Sequence, residues 1–459
     1  MDGRDRGQAS SKPKLIVNVE IGVGSMRIKT QWMPCCLLAL LLLIPLASAA
    51  DDAEQDLSPD ALLQKIGQGF ALAQQAAKRR DYAQAIDQLR QWRSDAVDSV
   101  DPQQHQQLIW ALNQPLVTLL SWVGDYQGAM SYPIHAANQD KADLDGLRPG
   151  EAVEAIAKAA SGRRIVMLNE AHHIPKHRVL AKRLLEPLYQ RGFRYLAVEA
   201  LSEAHQAQQH GYALAAGGGY INEPVFGELI RQAQAMGYTL IDYDRGEGDQ
   251  REVVAARNII QESFALDDQA RVLVFAGYAH INKRDGWLAE HLATQLGFEP
   301  LSISQTKHRE AATPDDESPV YRHFADEIIP AAATQSPQLH SEPAVLLDAD
   351  GSVWSASPDD YDMSVFWPRT RYQQQRPGWQ LNGHELLVFQ AAWCQQRYPC
   401  LLEVVRADAP LAVAFDRLLL QSAPSDRVAL RVPPEAYVIR AFDRLGQSIA
   451  THSMDAAAD

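Results

Sequence analysis

The residues able to do acid–base or metal chemistry fall directly after short apolar runs. Ile165-Val166-Met167-Leu168 stops abruptly at Asn169, Glu170, His172 and His173. Residues 195–198 lead into Glu199, 239–241 into Asp242-Tyr243-Asp244, 272–275 into Gly277-Tyr278-Ala279-His280, and 301–303 into Gln305. Apolar runs of this length that end in polar residues read as buried strands delivering side chains to a sheet edge. If the strands are parallel, all five sets meet at their carboxyl ends, where open α/β sheets bind ligands.

Two chemistries suit the set Glu170, His172, Glu199, Asp242 and His280. With a divalent metal ion, Glu170, His172 and His280 would ligate it and Glu199 would act as general base on the coordinated water. Without one, His172 or His280 would deprotonate water directly, with a carboxylate orienting the ring. Either scheme meets a constraint: Glu170 and Glu199 a few ångströms apart repel, so one is protonated or a cation lies between them. Arg251 opens a helical segment and would aim its guanidinium at an anionic substrate or an acyl oxyanion, or else pair with Asp242 or Asp244. His173 and His177, four apart with Pro175 between them, are expected to face solvent rather than to ligate. A G-x-S-x-G elbow, a P-loop, a His-Glu-x-x-His helix and a G-x-G-x-x-G turn after a strand are all missing.

The elements that must position these groups alternate. Helical patterns lie between the strand candidates; the first begins at Pro175, continues through Val179, Leu180, Leu184, Leu185 and Leu188, and closes near Gly192. The expected fold is therefore α/β, with a parallel-type central sheet over residues 150–320. Residues 50–149 read as helical. Arg80-Asp81-Tyr82-Ala83 and Gly124-Asp125-Tyr126-Gln127 echo each other in the manner of tetratricopeptide hairpins, and two such hairpins are expected to pack on a neighbour rather than stand alone. Residues 340–459 carry short apolar runs at 344–347, 386–390, 401–405, 428–432 and 437–441, separated by turn residues, as a β-rich C-terminal domain does. Asp348-Ala349-Asp350-Gly351 reads as a hairpin turn, since a calcium loop places its glycine sixth.

The first 49 residues read as a secretory signal. Arg27 and Lys29 precede the apolar stretch 35–46, and Ala47-Ser48-Ala49 offers a cleavage site; Met26 is the expected true start, with residues 1–25 over-called. The stretch is short for a membrane span, so no stable anchor is expected and the mature protein is expected to be periplasmic or secreted. Loss of six basic and three acidic residues takes the net charge from −14 to −17, which makes nucleic acid a poor partner. Cys394 and Cys400 then remain, and an oxidising compartment lets them pair.

The middle of the chain, about residues 150–305, resembles the erythromycin esterase-like, ChaN-like and Tiki superfamily. The resemblance rests on Asn169-Glu170-Ala171-His172 (with asparagine where that motif has glycine), Val198-Glu199, the stretch from Arg251 to Asn258, and Gly277-Tyr278-Ala279-His280. It implies a Glu/His centre in an α/β domain, in a group divided among antibiotic esterases, metal-dependent proteases and haem-binding uptake proteins. The first functional expectation is an exported hydrolase of an ester or amide in a small molecule or peptide, using Glu170, His172, Glu199 and His280 with Asp242 and Arg251 in support. The second is a protein that holds haem or iron without turnover; the third is a scaffold engaging cell-envelope partners.

Overall fold

The computed structural model describes residues 59–454 apart from 99–101, 137, 202–203, 216–218, 247 and 382–383. The signal-sequence expectation lies outside the described residues. No helix among them is long and apolar enough to cross a membrane.

Helices α1 (Pro59–Arg79), α2 (Tyr82–Asp98), α3 (Pro102–Trp122) and α4 (Tyr126–Met130) come first. The two echoing segments each start a helix, α2 and α4, and the side chain of Asp125 accepts from the amide of Gly128 at 2.8 Å to cap the second. Ala73, Ile86, Leu89, Leu116, Leu120 and Trp122 close the core of this layer, which also takes in Leu401 and Phe442 from the far end of the chain.

An eight-stranded sheet forms the centre. Its strands are β1 (Arg148–Glu151), β2 (Ile165–Glu170), β3 (Tyr195–Val198), β4 (Thr239–Asp242), β5 (Val272–Gly277), β6 (Leu301–Ser304), β7 (Ala344–Leu347) and β8 (Met363–Phe366), in the order β1-β7-β8-β6-β2-β5-β3-β4. From β8 to β4 every pairing is parallel, while β7 runs antiparallel to both of its neighbours. The interior strands are buried on both faces, which is why they read as unbroken apolar runs. Val166, Leu168, Leu196, Val198, Leu273 and Phe275 face α5 (Ala152–Ala159), α6 (Lys176–Tyr189), α7 (Ala204–His210) and α8 (Pro224–Ala235). Ile165, Met167, Ala197, Val272 and Val274 face α9 (Arg251–Glu262) and α10 (Leu288–Leu296). The α/β fold is thus a doubly wound sheet with helices on both sides.

Two corrections concern its far edge. The run 344–347, expected to open the C-terminal β-rich domain, is β7 of the central sheet, and residues 363–366 add β8 beside β6. A short apolar run carries no mark of which sheet it will join. The Asp348 segment is a turn as expected: Gly351 sits at φ +86° with its amide donating to the Asp348 carbonyl at 3.1 Å.

Beyond β8 come a two-residue ladder, β9 (Tyr372–Gln373) with β10 (Arg376–Pro377), and then β11 (Glu385–Val388), β12 (Cys400–Arg406), β13 (Asp416–Leu420), β14 (Ala429–Val432), β15 (Tyr437–Phe442) and β16 (Ser448–Met454). They form an antiparallel sheet β13-β12-β15-β16 and the pair β11-β14. Three fully buried arginines clamp this layer onto the others. Arg417 donates to Glu403 at 2.8 Å, to the Trp122 carbonyl at 3.2 Å and to the Asn222 carbonyl at 2.6 Å. Arg376 meets Asp416 at 3.0 Å and the Gly124 carbonyl at 3.0 Å, and Arg431 pairs with Glu228 of α8.

Cys394 and Cys400 form a disulfide six residues apart, both sulfurs lying in the core of the C-terminal layer with Trp393, Leu402 and Leu420. Closing so short a loop removes modest chain entropy, so its reduction should lower stability by about 2 kcal/mol. A urea midpoint measured with and without dithiothreitol checks this; an unmoved midpoint contradicts it.

Candidate active site

The sheet order decides which side chains meet. β5 lies between β2 and β3, so its last residue, Gly277, is flanked by Glu170, which ends β2 in register with it, and by Glu199, which follows β3. A Cβ on Gly277 would stand 2.6 Å from Nε2 of His172 and 2.9 Å from Oε2 of Glu199. Only a glycine fits there, because the His172 ring and the Glu199 carboxylate already take the space a Cβ would fill, and the two halves of the site meet over it. The Gly277 amide also donates to Oε2 of Glu199.

On one side stands a carboxylate–imidazole pair. Oε1 of Glu170 accepts from Nδ1 of His172 at 2.9 Å, which leaves Nε2 turned toward the gap. Arg178 of α6 holds the same carboxylate with Nε at 2.6 Å and Nη2 at 2.9 Å, and Nη1 reaches Glu223 at 3.0 Å. Burial opposes charge on Glu170, yet Arg178 and His172 outweigh it and hold its pKa below the ordinary value. The His172 ring stacks on Tyr220, with centroids 3.7 Å apart and planes 5° from parallel, and meets Tyr278 edge-on at 5.3 Å. Tyr278 is fixed at φ +35°, a region side chains rarely adopt, by its amide donating to the Glu170 carbonyl at 2.9 Å and by its carbonyl accepting from Nδ2 of Asn169 at 2.7 Å.

On the other side lies an ion-pair cluster. Arg251, at the start of α9, binds Asp244 through Nε at 2.8 Å and Nη2 at 2.7 Å, and Nη2 also reaches Glu199 at 2.9 Å. His280 sits between Glu252, at 2.9 Å from Nδ1, and Glu199, at 3.4 Å from Nε2. Burial disfavours its cation, but the two carboxylates prevail and raise its pKa from 6.5 to about 10. Glu199, buried but facing His280 and Arg251, is held well below the usual carboxylate range.

The structure brings together Glu170, His172, Glu199, His280 and Arg251, and leaves Asp242 out. Asp242 makes no polar contact with the cluster among the described residues, and burial lifts its carboxyl to about 6; the acid that pairs with Arg251 is Asp244, two positions on. Glu170, His172 and His280 do not form a ligand set either. Both oxygens of Glu170 are taken by Arg178 and His172, and both nitrogens of His280 face carboxylates. No cluster of three ligating side chains suited to a metal occurs among the described residues. Each glutamate has its own guanidinium, so the expected proton or shared cation between them is not required. His173 and His177 are buried, contrary to expectation: Nδ1 of His177 accepts from the Ala171 amide at 3.0 Å.

Several participants escaped the sequence reading. Arg178 lies three and seven positions before Ala181 and Leu185 on the buried stripe of α6, and a charge on such a stripe signals a buried partner. Glu223 and Tyr220 come from the glycine-rich connection before α8, where no periodicity marks them; Glu223 also caps α8 by accepting from the Phe226 amide at 3.0 Å. Glu252, on the first turn of α9, was hidden beside Arg251.

Replacing Arg178 with methionine strands Glu170 and Glu223 in the interior and should cost about 3–5 kcal/mol in chemical denaturation; a loss under 1 kcal/mol contradicts the pairing. The His280 pKa is raised, so its ion pairs contribute fully below pH 6.5 and fade as pH climbs through about 10. Its ring resonances should stay constant from pH 6 to 8 in NMR titration, and a midpoint near 6.5 would contradict the arrangement.

No protein-family model and no curated protein matches the chain. Among solved structures it is similar to the type III effector HopBA1, at 20% identity over 36% of this chain and 89% of that one, with a TM-score of 0.23. It is also similar to two bacterial protein toxin structures, at 12% identity over 45% of this chain, with TM-scores of 0.27. The chain spans about half of those toxins, 48% and 47%.

Proposed function

We propose that this protein is an exported hydrolase of an ester or amide bond, with His172 as general base and no metal ion required. The observation that carries the reading is the His172 ring itself. An ionised Glu170 at Nδ1 fixes the tautomer that donates there, so Nε2 accepts a proton; that nitrogen bonds no other described residue, and the side chain keeps 14% of its surface exposed. Of the two imidazoles, His280 is unsuited to the role because both its nitrogens are engaged, Nδ1 by Glu252 at 2.9 Å and Nε2 by Arg251 at 3.1 Å and Glu199 at 3.4 Å.

In this scheme a water beside Nε2 gives up its proton as it attacks the acyl carbon, and His172 then delivers that proton to the leaving group. Glu170 steadies the imidazolium as it forms, and Arg178 keeps Glu170 charged and aimed. Glu199 does not take the proton, being strongly acidified; it holds Arg251 and His280 in place across the gap. The resemblance to the erythromycin esterase-like, ChaN-like and Tiki superfamily supports this assignment through the same four residues. A haem-binding role would have to use Nε2 of His172, since both nitrogens of His280 are engaged. The Cys394–Cys400 disulfide supports an oxidising compartment, periplasmic or extracellular.

A general base contributes about 10²–10⁴-fold. In a screen of nitrophenyl esters, lactones and peptides, His172→Gln and Glu170→Gln should each lose at least 10²-fold in kcat/KM with unchanged circular dichroism, and chelators should leave the wild type active. Full activity in His172→Gln, or activity lost to a chelator and restored by one metal, would overturn the mechanism.

A further inference from the structure

Three arginines stand near the carboxyl edge of the sheet, and they are compensated differently. Arg178 and Arg251 each hold two carboxylates. Arg309 holds none among the described residues: Nη1 donates to the Thr306 carbonyl at 2.8 Å and Nη2 to Nε2 of His135 at 2.7 Å. In a chain with 57 acidic and 43 basic residues, a partly buried guanidinium left without a carboxylate is an unspent binding group. Burial lowers the Arg309 pKa, whereas the carboxylates beside Arg178 and Arg251 overcome burial and raise theirs.

Arg309 belongs to the same edge as the base. It follows β6, which pairs with β2 on the side away from β5. Nδ2 of Asn169 donates both to Oγ1 of Thr306, at 3.0 Å, and to the Tyr278 carbonyl, so one asparagine ties the ends of β2, β5 and β6 together. His135 takes up one donor of Arg309 at Nε2, while its Nδ1 meets the Ala136 carbonyl at 2.8 Å. Its fork keeps N–H groups to spare, and an arginine fork matches planar oxyanions.

The geometry points to an oxyanion subsite at the same sheet edge as the base: Arg309, anchored by the Thr306 carbonyl and His135 with N–H groups to spare, binds a carboxylate or phosphate group carried by the substrate. The inference deepens the hydrolase reading by naming a substrate class, acyl compounds that also bear an anion, and rests on it for the word substrate. Direct binding tests it without turnover. Titration of the full mature chain with succinate and with inorganic phosphate, followed by calorimetry or by the histidine ring resonances, should show saturable binding of one of them, with succinamide as the neutral control. Arg309→Gln should weaken that binding at least tenfold and Arg309→Lys should recover part of it. Stronger succinate binding names a carboxylate, and stronger phosphate binding a phosphate. No saturable binding of either, or equal affinity in Arg309→Gln, overturns the subsite. Binding that depends on Arg309 in a protein showing no hydrolysis in any screen upholds the subsite and removes the hydrolase reading instead.

Discussion

The site depends on one buried guanidinium. Arg178 is fully enclosed between Glu170 and Glu223 and lies over the ring of Phe226, 4.8 Å from its centroid. Taking three charges out of water costs several kcal/mol for each ion, and only close, multiply hydrogen-bonded contacts repay it. Those contacts come from separate parts of the chain: Glu170 from a strand, Glu223 from a helix cap, and the hydroxyl of Tyr126, which donates to Glu223 at 3.1 Å, from the N-terminal helices. Gln380 of the C-terminal part donates in turn to that hydroxyl at 3.2 Å. The orientation of His172 is therefore fixed by a relay that reaches into three layers of the molecule.

This relay also accounts for what the sequence revealed and what it hid. The strand ends at 170, 199, 277 and 304 were legible because doubly buried parallel strands must be apolar and must stop where polar chemistry starts. Period and composition are local properties, and the strands chosen from them coincide closely with the observed ones. Glu223 and Tyr220 were not legible because their roles come from contacts with distant residues, Arg178 and Glu223 being 45 positions apart, whereas the Asp244 partner of Arg251, seven positions away, was among the expected pairs. The same reason explains the misassigned run at 344–347. Its residues are as apolar in one sheet as in another, and its place beside β1 and β8 is set by a connection that wraps back to the central sheet.

The two glutamates illustrate how a correct physical constraint can be met by an unforeseen route. Like charges facing one gap require compensation, and a proton or a shared metal ion was the economical expectation. The fold instead gives each carboxylate its own arginine from the opening of a neighbouring helix, Arg178 from α6 and Arg251 from α9. Guanidinium charge does not titrate under ordinary conditions and does not exchange with solvent, so both carboxylates remain ionised over a broad pH range. Under the proposed mechanism, proton transfer then falls to the one imidazole that has a carboxylate on one nitrogen and no bond to a described residue at the other.

The seating of that ring over the sheet edge is a backbone property. β5 lies in the middle of the parallel strands, between two that each deliver a glutamate, and a Cβ at its end would collide with the His172 ring and the Glu199 carboxylate. With Gly277 there, the floor is main chain: its amide holds Glu199, and the next residue, Tyr278, is turned into a strained conformation that sets its ring edge-on to His172. The strain is borne by hydrogen bonds from Asn169 and to the Glu170 carbonyl, so the asparagine that departs from the glycine-led motif carries a structural duty. Its amide also reaches Thr306, and through it the loop that carries Arg309. One side chain at the end of β2 thereby couples the floor of the gap, the ring packed against the base, and the cation beside them.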